Sequence, residues 1–146
     1  MDNDLMSTAQ AMELVSKGYR CSPIVLAAFA EELDLSAEDA LRVSAGFGGG
    51  MFDGQACGAV TGAIMAIGLK YGMVDENDFR QLQECRSKVE QFNNKFREKY
   101  QSTICESLLG FNINDPAENK KHGQEETMPK CLEYITGAIQ IVGEIL

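Results

Sequence analysis

Apolar residues recur at intervals of three and four in one segment after another, and this periodicity limits the chain to a helical fold. The alternation typical of strands is weak, and β-branched residues are sparse. Capping residues and glycines mark several segment ends, such as Ser36 before one apolar segment and Gly18 after another. We therefore predict an all-α fold: a compact single-domain bundle of about six to eight helices over residues 1–146, with no significant sheet.

The predicted helices cover approximately residues 7–17, 22–33, 36–46, 55–71, 75–100, 105–109 and 129–146. The polar stretch 110–128 is the only long irregular connection predicted, with a turn or two of helix after Asp115-Pro116. On the fourth predicted helix, Gly58, Gly62 and Ala66 fall four residues apart. Glycine within a helix costs about 1 kcal/mol relative to alanine. This face therefore predicts close backbone packing, either inside the monomer or, as the second alternative, in a homodimer.

Four of the five cysteines are predicted to lie in, or just before, the first turn of a helix. Cys21 precedes a Ser-Pro cap, and Cys57 follows a glycine-rich stretch. Cys105 lies in a Thr-x-x-Glu capping box, and Cys131 follows a proline that is suited to the first turn of a helix. A helix N-terminus stabilises negative charge and so promotes the thiolate, which is the reactive and metal-binding form of cysteine.

The fifth cysteine, Cys85, is predicted to pack. It belongs to an apolar stripe with helical spacing that we interpret as one buried face: Phe79, Leu82, Cys85, Val89, Phe92, Phe96 and Tyr100. A buried cysteine behaves as a small hydrophobe, so we assign Cys85 no redox role.

The net charge of -9 and the sequence pI of about 4.6 exclude two classes of partner. Nucleic acids and anionic membrane surfaces both require basic patches. The longest uncharged run, residues 54–69, is too short and too rich in Gly and Ala for membrane insertion. Residues 1–4 are acidic and lack the features of a signal peptide, so we expect a cytoplasmic location.

Several familiar sites are missing from the sequence. The one histidine, His122, lies in the polar stretch and is interpreted as solvated. No Cys-x-x-Cys-His motif is present, so covalent haem is not expected, and no Cys-x-x-Cys motif exists either. The glycine stretch 46–50 is a poor dinucleotide fingerprint, and we interpret it as a chain reversal that lets Cys57 approach another segment.

Four thiolates leave two main chemistries open. The cysteines could form one or two redox-active disulfides, because thiols with a low pKa attack disulfides readily and also leave well. They could instead converge on zinc or an iron–sulfur cluster, for which four thiolates are a complete ligand set. A third alternative is a non-catalytic helical partner of another protein, in which the cysteines only pack.

The order of motifs resembles that of a known protein family. The sequence carries Cys21, then the block Ser44-Ala-Gly-Phe-Gly-Gly-Gly-Met51, then Cys57-Gly-Ala-Val-Thr-Gly-Ala63, followed by Cys105-Glu-Ser-Leu-Leu-Gly110 and Cys131. This pattern resembles the C-GCAxxG-C-C family of redox-active proteins, which have four cysteines and a Cys-Gly-Ala-x-x-Gly motif. The resemblance covers nearly the whole chain.

The resemblance implies that Cys21, Cys57, Cys105 and Cys131 are the functional cysteines and leaves Cys85 outside the set. It implies thiol/disulfide exchange or electron transfer with an unidentified redox partner, and association with a transporter as a further alternative. Within it, our trial disulfide pairs are Cys21–Cys57 and Cys105–Cys131.

Overall fold

The computed structural model describes residues 5–146; the acidic segment 1–4, for which we expect no signal peptide, lies outside the described residues. Seven α-helices follow one another: α1 Thr8–Ser16, α2 Cys21–Ala30, α3 Ala37–Val43, α4 Gly58–Tyr71, α5 Phe79–Tyr100, α6 Cys105–Leu109 and α7 Pro116–Ile145. Within residues 5–146 no strand forms, and the only pairing of extended chain is an isolated antiparallel bridge between Ala56 and Ile104. The predicted all-α class is confirmed, whereas the single domain stays a prediction.

Helices α2 and α4 form the centre of the fold. Both are apolar on most of their surface, and a helix of that composition is stable in water only when other elements surround it. Helix α2 buries Ile24, Val25, Leu26 and Phe29, and α4 buries Val60 and Ile67 together with small residues. The C-terminal part of α7 packs against both helices and against α1 and α5, which completes the core.

The small residues of α4 allow a close crossing with α2. A Cβ atom added at Gly62 would lie 2.6 Å from the carbonyl oxygen of Ser22, and one added at Gly58 would lie 3.0 Å from the Cβ of Cys21. The predicted close packing is therefore found inside the monomer. Because α2 occupies this face, the glycine spacing no longer supports the alternative of a homodimer.

The turn or two of helix predicted after Asp115-Pro116 is confirmed, but it continues into the last helix, so the predicted start of that helix near Pro129 was wrong. The helix begins at Pro116, where the Asp115 side chain accepts hydrogen bonds from the amides of Ala117 and Glu118, and it continues through most of the stretch predicted to be irregular. It bends at Gly123, whose φ of 73° and ψ of 162° are not helical. Pro129 therefore lies inside the helix, and Cys131 is not in a first turn.

His122 is only partly solvated, whereas the interpretation from sequence was a solvated side chain: 28% of its side-chain surface is exposed. Its ring stacks on Phe111 with a centroid distance of 4.0 Å, and its two nitrogens face Glu118 and Glu126 on the same helix. These contacts lie beside the bend at Gly123, so His122 links the helical turns before and after it.

The stripe on α5 is buried only in its second half. Phe92 and Phe96 are inaccessible to solvent, but Phe79 is 60% and Leu82 is 43% exposed. The prediction of one continuous buried face was wrong for these two residues. Cys85 lies between the two halves and is half-buried.

None of the helices within residues 5–146 combines the length and the apolar character that crossing a bilayer requires.

Candidate functional site

The four cysteines selected from the sequence line one cavity of about 890 Å³. Three of them lie at helix starts as predicted: Cys21 is the first residue of α2, Cys57 caps α4, and Cys105 is the first residue of α6. Cys131 reaches the same cavity from the middle of α7, eight residues after the bend at Gly123. All five cysteines of the chain are free thiols in the structure, and Cys85 does not line this cavity.

A short backbone pairing holds Cys57 and Cys105 next to each other. The amide of Cys57 donates to the carbonyl of Thr103 at 2.8 Å, and the amide of Cys105 donates to the carbonyl of Gln55 at 2.7 Å. These two bonds flank the Ala56–Ile104 bridge. Because side chains alternate along extended chain, Cys57 and Cys105 project to the same side of the pairing. The glycine-rich segment is thus the chain reversal that brings Cys57 to a distant segment.

The chain reversal before Cys57 contains an unusual left-handed turn. Residues 49–52 all have φ between 54° and 68°, and two of them, Met51 and Phe52, are not glycine. The left-handed region costs an ordinary L-residue about 1–2 kcal/mol. At Gly50 no side chain is tolerated, because its Cβ would collide with the backbone of Gln55 and lie 2.9 Å from the Cβ of Cys105. This strained turn places the Phe52 side chain at the cavity.

Cys21 and Cys131 both line the cavity, and each thiol is the largest influence on the pKa of the other. The Cys21 side chain lowers the pKa of Cys131, as a hydrogen bond from its thiol to the Cys131 sulfur would do, and the positive charges of Arg20 and Lys130 lower it further. Burial opposes this shift but does not cancel it. The same interaction, together with burial, raises the pKa of Cys21 well above its ordinary value. Cys131 therefore has the lower pKa of the two and is the thiol that ionises first.

Cys57 and Cys105 favour the protonated thiol. Burial raises the pKa of Cys57 to about 11, although the amides of Ala59 and Val60 at the start of α4 pull it in the opposite direction without completing a cap hydrogen bond. Burial raises the pKa of Cys105 to about 12, with smaller contributions from Cys57, Cys131 and Glu106. These two residues are only 4% and 7% exposed, so desolvation outweighs the helix N-terminus.

The expectation that helix starts promote all four thiolates was therefore wrong. The three cysteines at helix starts have raised pKa values, and the one with a lowered pKa, Cys131, lies inside a helix. A helix N-terminus stabilises a thiolate through its partial positive charge. Burial in this cavity removes the water that would otherwise stabilise the thiolate, and the effect of this loss is larger.

The sequence interpretation overlooked two residues that govern the pair. Arg20 and Lys130 directly precede Cys21 and Cys131 in the chain, and both lower the pKa of Cys131. A basic residue before a cysteine was the available signal, since a nearby cation favours the thiolate. Tyr134 was overlooked as well: its hydroxyl donates to the carbonyl of Leu108 at 3.0 Å and ties α6, with Cys105, to α7.

The described residues contain no group of three or more His, Cys, Asp or Glu side chains placed to hold a metal ion. The four thiols share a cavity but do not converge on one point within it. In this arrangement they suit pairwise sulfur chemistry better than a four-thiolate metal site, for which ligands must lie at about 2.3 Å from a single ion.

Together, the helical fold and the four thiols around one cavity define the class: an all-helical cysteine protein equipped for redox chemistry. Residues 19–145 match the family described as "Putative redox-active protein (C_GCAxxG_C_C)". The chain belongs to this family, as the order of its cysteine motifs suggested. No curated protein matches the sequence, and none of the solved structures matches it either.

Proposed function

We propose that this protein carries out thiol–disulfide exchange, with Cys131 as the attacking thiolate and Cys21 as the resolving thiol. The position of both thiols at the wall of one open cavity, together with the lowered pKa of Cys131, supports the proposal most directly. A thiolate is the nucleophile in disulfide exchange, and a second thiol in contact with it can complete the reaction within one molecule.

The proposed reaction has two displacement steps. The Cys131 sulfur attacks one sulfur of a substrate disulfide, a mixed disulfide forms, and the other half of the substrate leaves as a thiolate. Cys21 then loses its proton to solvent, and its sulfur displaces the remaining half from Cys131. The substrate gains two electrons, and the protein ends with a Cys21–Cys131 disulfide. A dithiol reductant reverses these steps and restores the pair.

Cys57 and Cys105 are proposed to act as a second dithiol. Their backbone pairing and common orientation support this assignment, as does their position on the same cavity. Because both are buried and protonated, they would exchange with the Cys21–Cys131 disulfide rather than with a substrate in solution. The contacts thus favour a different pairing from our trial pairs Cys21–Cys57 and Cys105–Cys131. A reducing compartment such as the cytoplasm would keep both dithiols reduced.

The alternative function is an iron–sulfur or zinc site built from the same four cysteines. One observation favours it, namely that all four line a single cavity. The separation of the thiols counts against it, because a cluster or ion would require them to move together. Association with a transporter remains a proposal that no contact of the described residues supports.

The proposal is tested on protein purified and reduced without oxygen. Mild oxidation should remove two thiols first and join Cys21 to Cys131, as read by peptide mass mapping. Cys21→Ser should instead stop the cycle at a mixed disulfide on Cys131, while Cys85→Ser, the matched control, should react like the natural chain. Stoichiometric iron or zinc in the same sample, lost when any one of the four cysteines is replaced, would establish the alternative. Four thiols that resist oxidation altogether would reject redox chemistry.

A further inference from the structure

The wall of the cysteine cavity differs in charge from the rest of the molecule. The chain has 22 acidic residues and a net charge of -9, yet among residues 5–146 no Asp or Glu lines the cavity, and Arg20 is the only charged residue of that range that does. Side-chain carboxylates at the wall would repel an anionic ligand, and their absence removes that barrier.

Arg20 is well placed to bind an anion beside the reactive pair. Its aliphatic stem lies along Gly48, where an added Cβ would come within 2.6 Å of the Arg20 Cβ. Across residues 5–146, no carboxylate lies within ion-pairing distance of its guanidinium group. Arg20 and Cys131 line the same cavity, and the charge of Arg20 lowers the pKa of Cys131. A guanidinium group binds a carboxylate through two parallel hydrogen bonds.

The remaining wall is mainly apolar and partly open to solvent. Met12, Tyr19 and Phe52 are large side chains that line the cavity, and they are 54%, 37% and 54% exposed respectively. The volume of about 890 Å³ is within the usual range for small-molecule sites. A folded protein would have to insert a segment to bring its disulfide inside, whereas a small molecule can enter whole.

We propose that the cavity binds a small-molecule disulfide that has an apolar, preferably aromatic, body and a carboxylate. The carboxylate pairs with Arg20, the apolar body contacts Met12 and Phe52, and the sulfur–sulfur bond faces Cys131. The inference rests on the proposed thiol–disulfide exchange and names its substrate class. The electrons and leaving groups follow the same two displacements: the ligand is reduced to two thiols, and Cys21 and Cys131 become joined.

The test compares two aromatic disulfides that differ in charge: dithiobis(nitrobenzoate), which carries carboxylates, and dithiodipyridine, which is neutral. Rates of modification are measured on the reduced full chain without oxygen, in a Cys85→Ser background that removes the cysteine outside the cavity. Arg20→Gln should lower the ratio of the rate with dithiobis(nitrobenzoate) to the rate with dithiodipyridine by about threefold to tenfold. Arg20→Lys should retain most of that ratio, because the charge is kept.

Lys130→Gln is the matched control. Lys130 also favours the Cys131 thiolate but does not line the cavity, so this substitution should slow both probes by the same factor. An unchanged ratio in Arg20→Gln, or an equal fall in the ratio for Lys130→Gln, would overturn the carboxylate site. If the proposed thiol–disulfide exchange itself is wrong, the result differs: neither probe then modifies Cys131 first.

Discussion

At the residue scale, the identity of the neighbouring groups decides which cysteine ionises. The Cys21 side chain and the charges of Arg20 and Lys130 lower the pKa of Cys131, whereas burial raises the pKa of Cys57 and that of Cys105. The sequence identified all four positions because the motif and the predicted helix starts mark them. It could not rank their pKa values, since burial and the contact between residues 110 positions apart depend on the tertiary fold.

The hydrogen bond from Cys21 can be tested with two substitutions. Cys21→Ala removes the donor, so the pKa of Cys131 should rise, whereas Cys21→Ser keeps a hydroxyl donor and should retain most of the shift. The measurement is the rate of alkylation of Cys131 against pH, located by peptide mapping. In the natural chain the rate should reach half its maximum below the ordinary thiol value of about 8.5.

The Ser and Ala variants control for each other because both remove the second thiol. Equal midpoints for the two variants would show that the hydrogen bond does not set the ionisation of Cys131. A natural midpoint at or above the ordinary value would show that Cys131 is not a stabilised thiolate.

At the element scale, helix identity was largely predictable and helix boundaries were less so. Seven segments were predicted and seven α-helices form within residues 5–146, and the cap at Ser36 was located correctly. The caps predicted at Ser22 and Thr103 were wrong, because α2 begins directly after Arg20 and α6 directly after Ile104, and neither helix has a side-chain cap. The start of α7 was missed because Pro129 resembles a first-turn proline, while the preceding stretch is too polar to show a periodic face. The sequence also could not show that α2 packs against the α4 glycines, because their spacing predicts close packing but does not identify the neighbouring helix.

The crossing of α2 and α4 predicts opposite effects for two glycines on the same helix. Gly62→Ala should lower the free energy of unfolding by about 1–3 kcal/mol, because its methyl group would push against the backbone of Ser22. Gly68→Ala, with no atom within 4 Å of its added Cβ, should instead stabilise the protein by about 0.5–1 kcal/mol. Urea denaturation of the reduced protein measures both, and equal effects at the two positions would contradict the crossing.

At the scale of the whole molecule, the cavity exists because four separate elements bring one cysteine each to the same space. Helices α2 and α4 supply Cys21 and Cys57, and α6 and α7 supply Cys105 and Cys131. No local signal encodes this convergence, although the shared motif suggested that the four act together. Burial of these thiols also couples their ionisation to folding.

That coupling predicts a loss of stability in alkaline solution. The pKa values of Cys57 and Cys105 are raised in the folded state, to about 11 and about 12. Above about pH 8.5 the unfolded thiols release protons that the folded ones retain, so each should lower stability by about 1.4 kcal/mol per pH unit until its folded pKa is reached. Below about pH 8.5 this contribution is fully retained.

The measurement is the free energy of unfolding of the reduced protein between about pH 8 and about pH 10. Cys105→Ala should show a shallower decline than the natural chain, because one buried thiol no longer resists ionisation. Cys85→Ser is the control. When it is added to the natural chain and to Cys105→Ala, the difference between their slopes of unfolding free energy against pH should stay the same. Identical slopes with and without Cys105 would show that this thiol is not held protonated by the fold.

In the proposed exchange, Cys131 is the attacking thiolate and Cys21 the resolving thiol. The most direct test mixes the reduced, oxygen-free protein with less than one equivalent of a disulfide reagent and then maps every modified cysteine by mass spectrometry. The reagent should first attach to Cys131 in Cys21→Ser, whereas the natural chain should end with a Cys21–Cys131 disulfide. First modification at Cys57 or Cys105, or a first disulfide that joins either of them to Cys21, would contradict it.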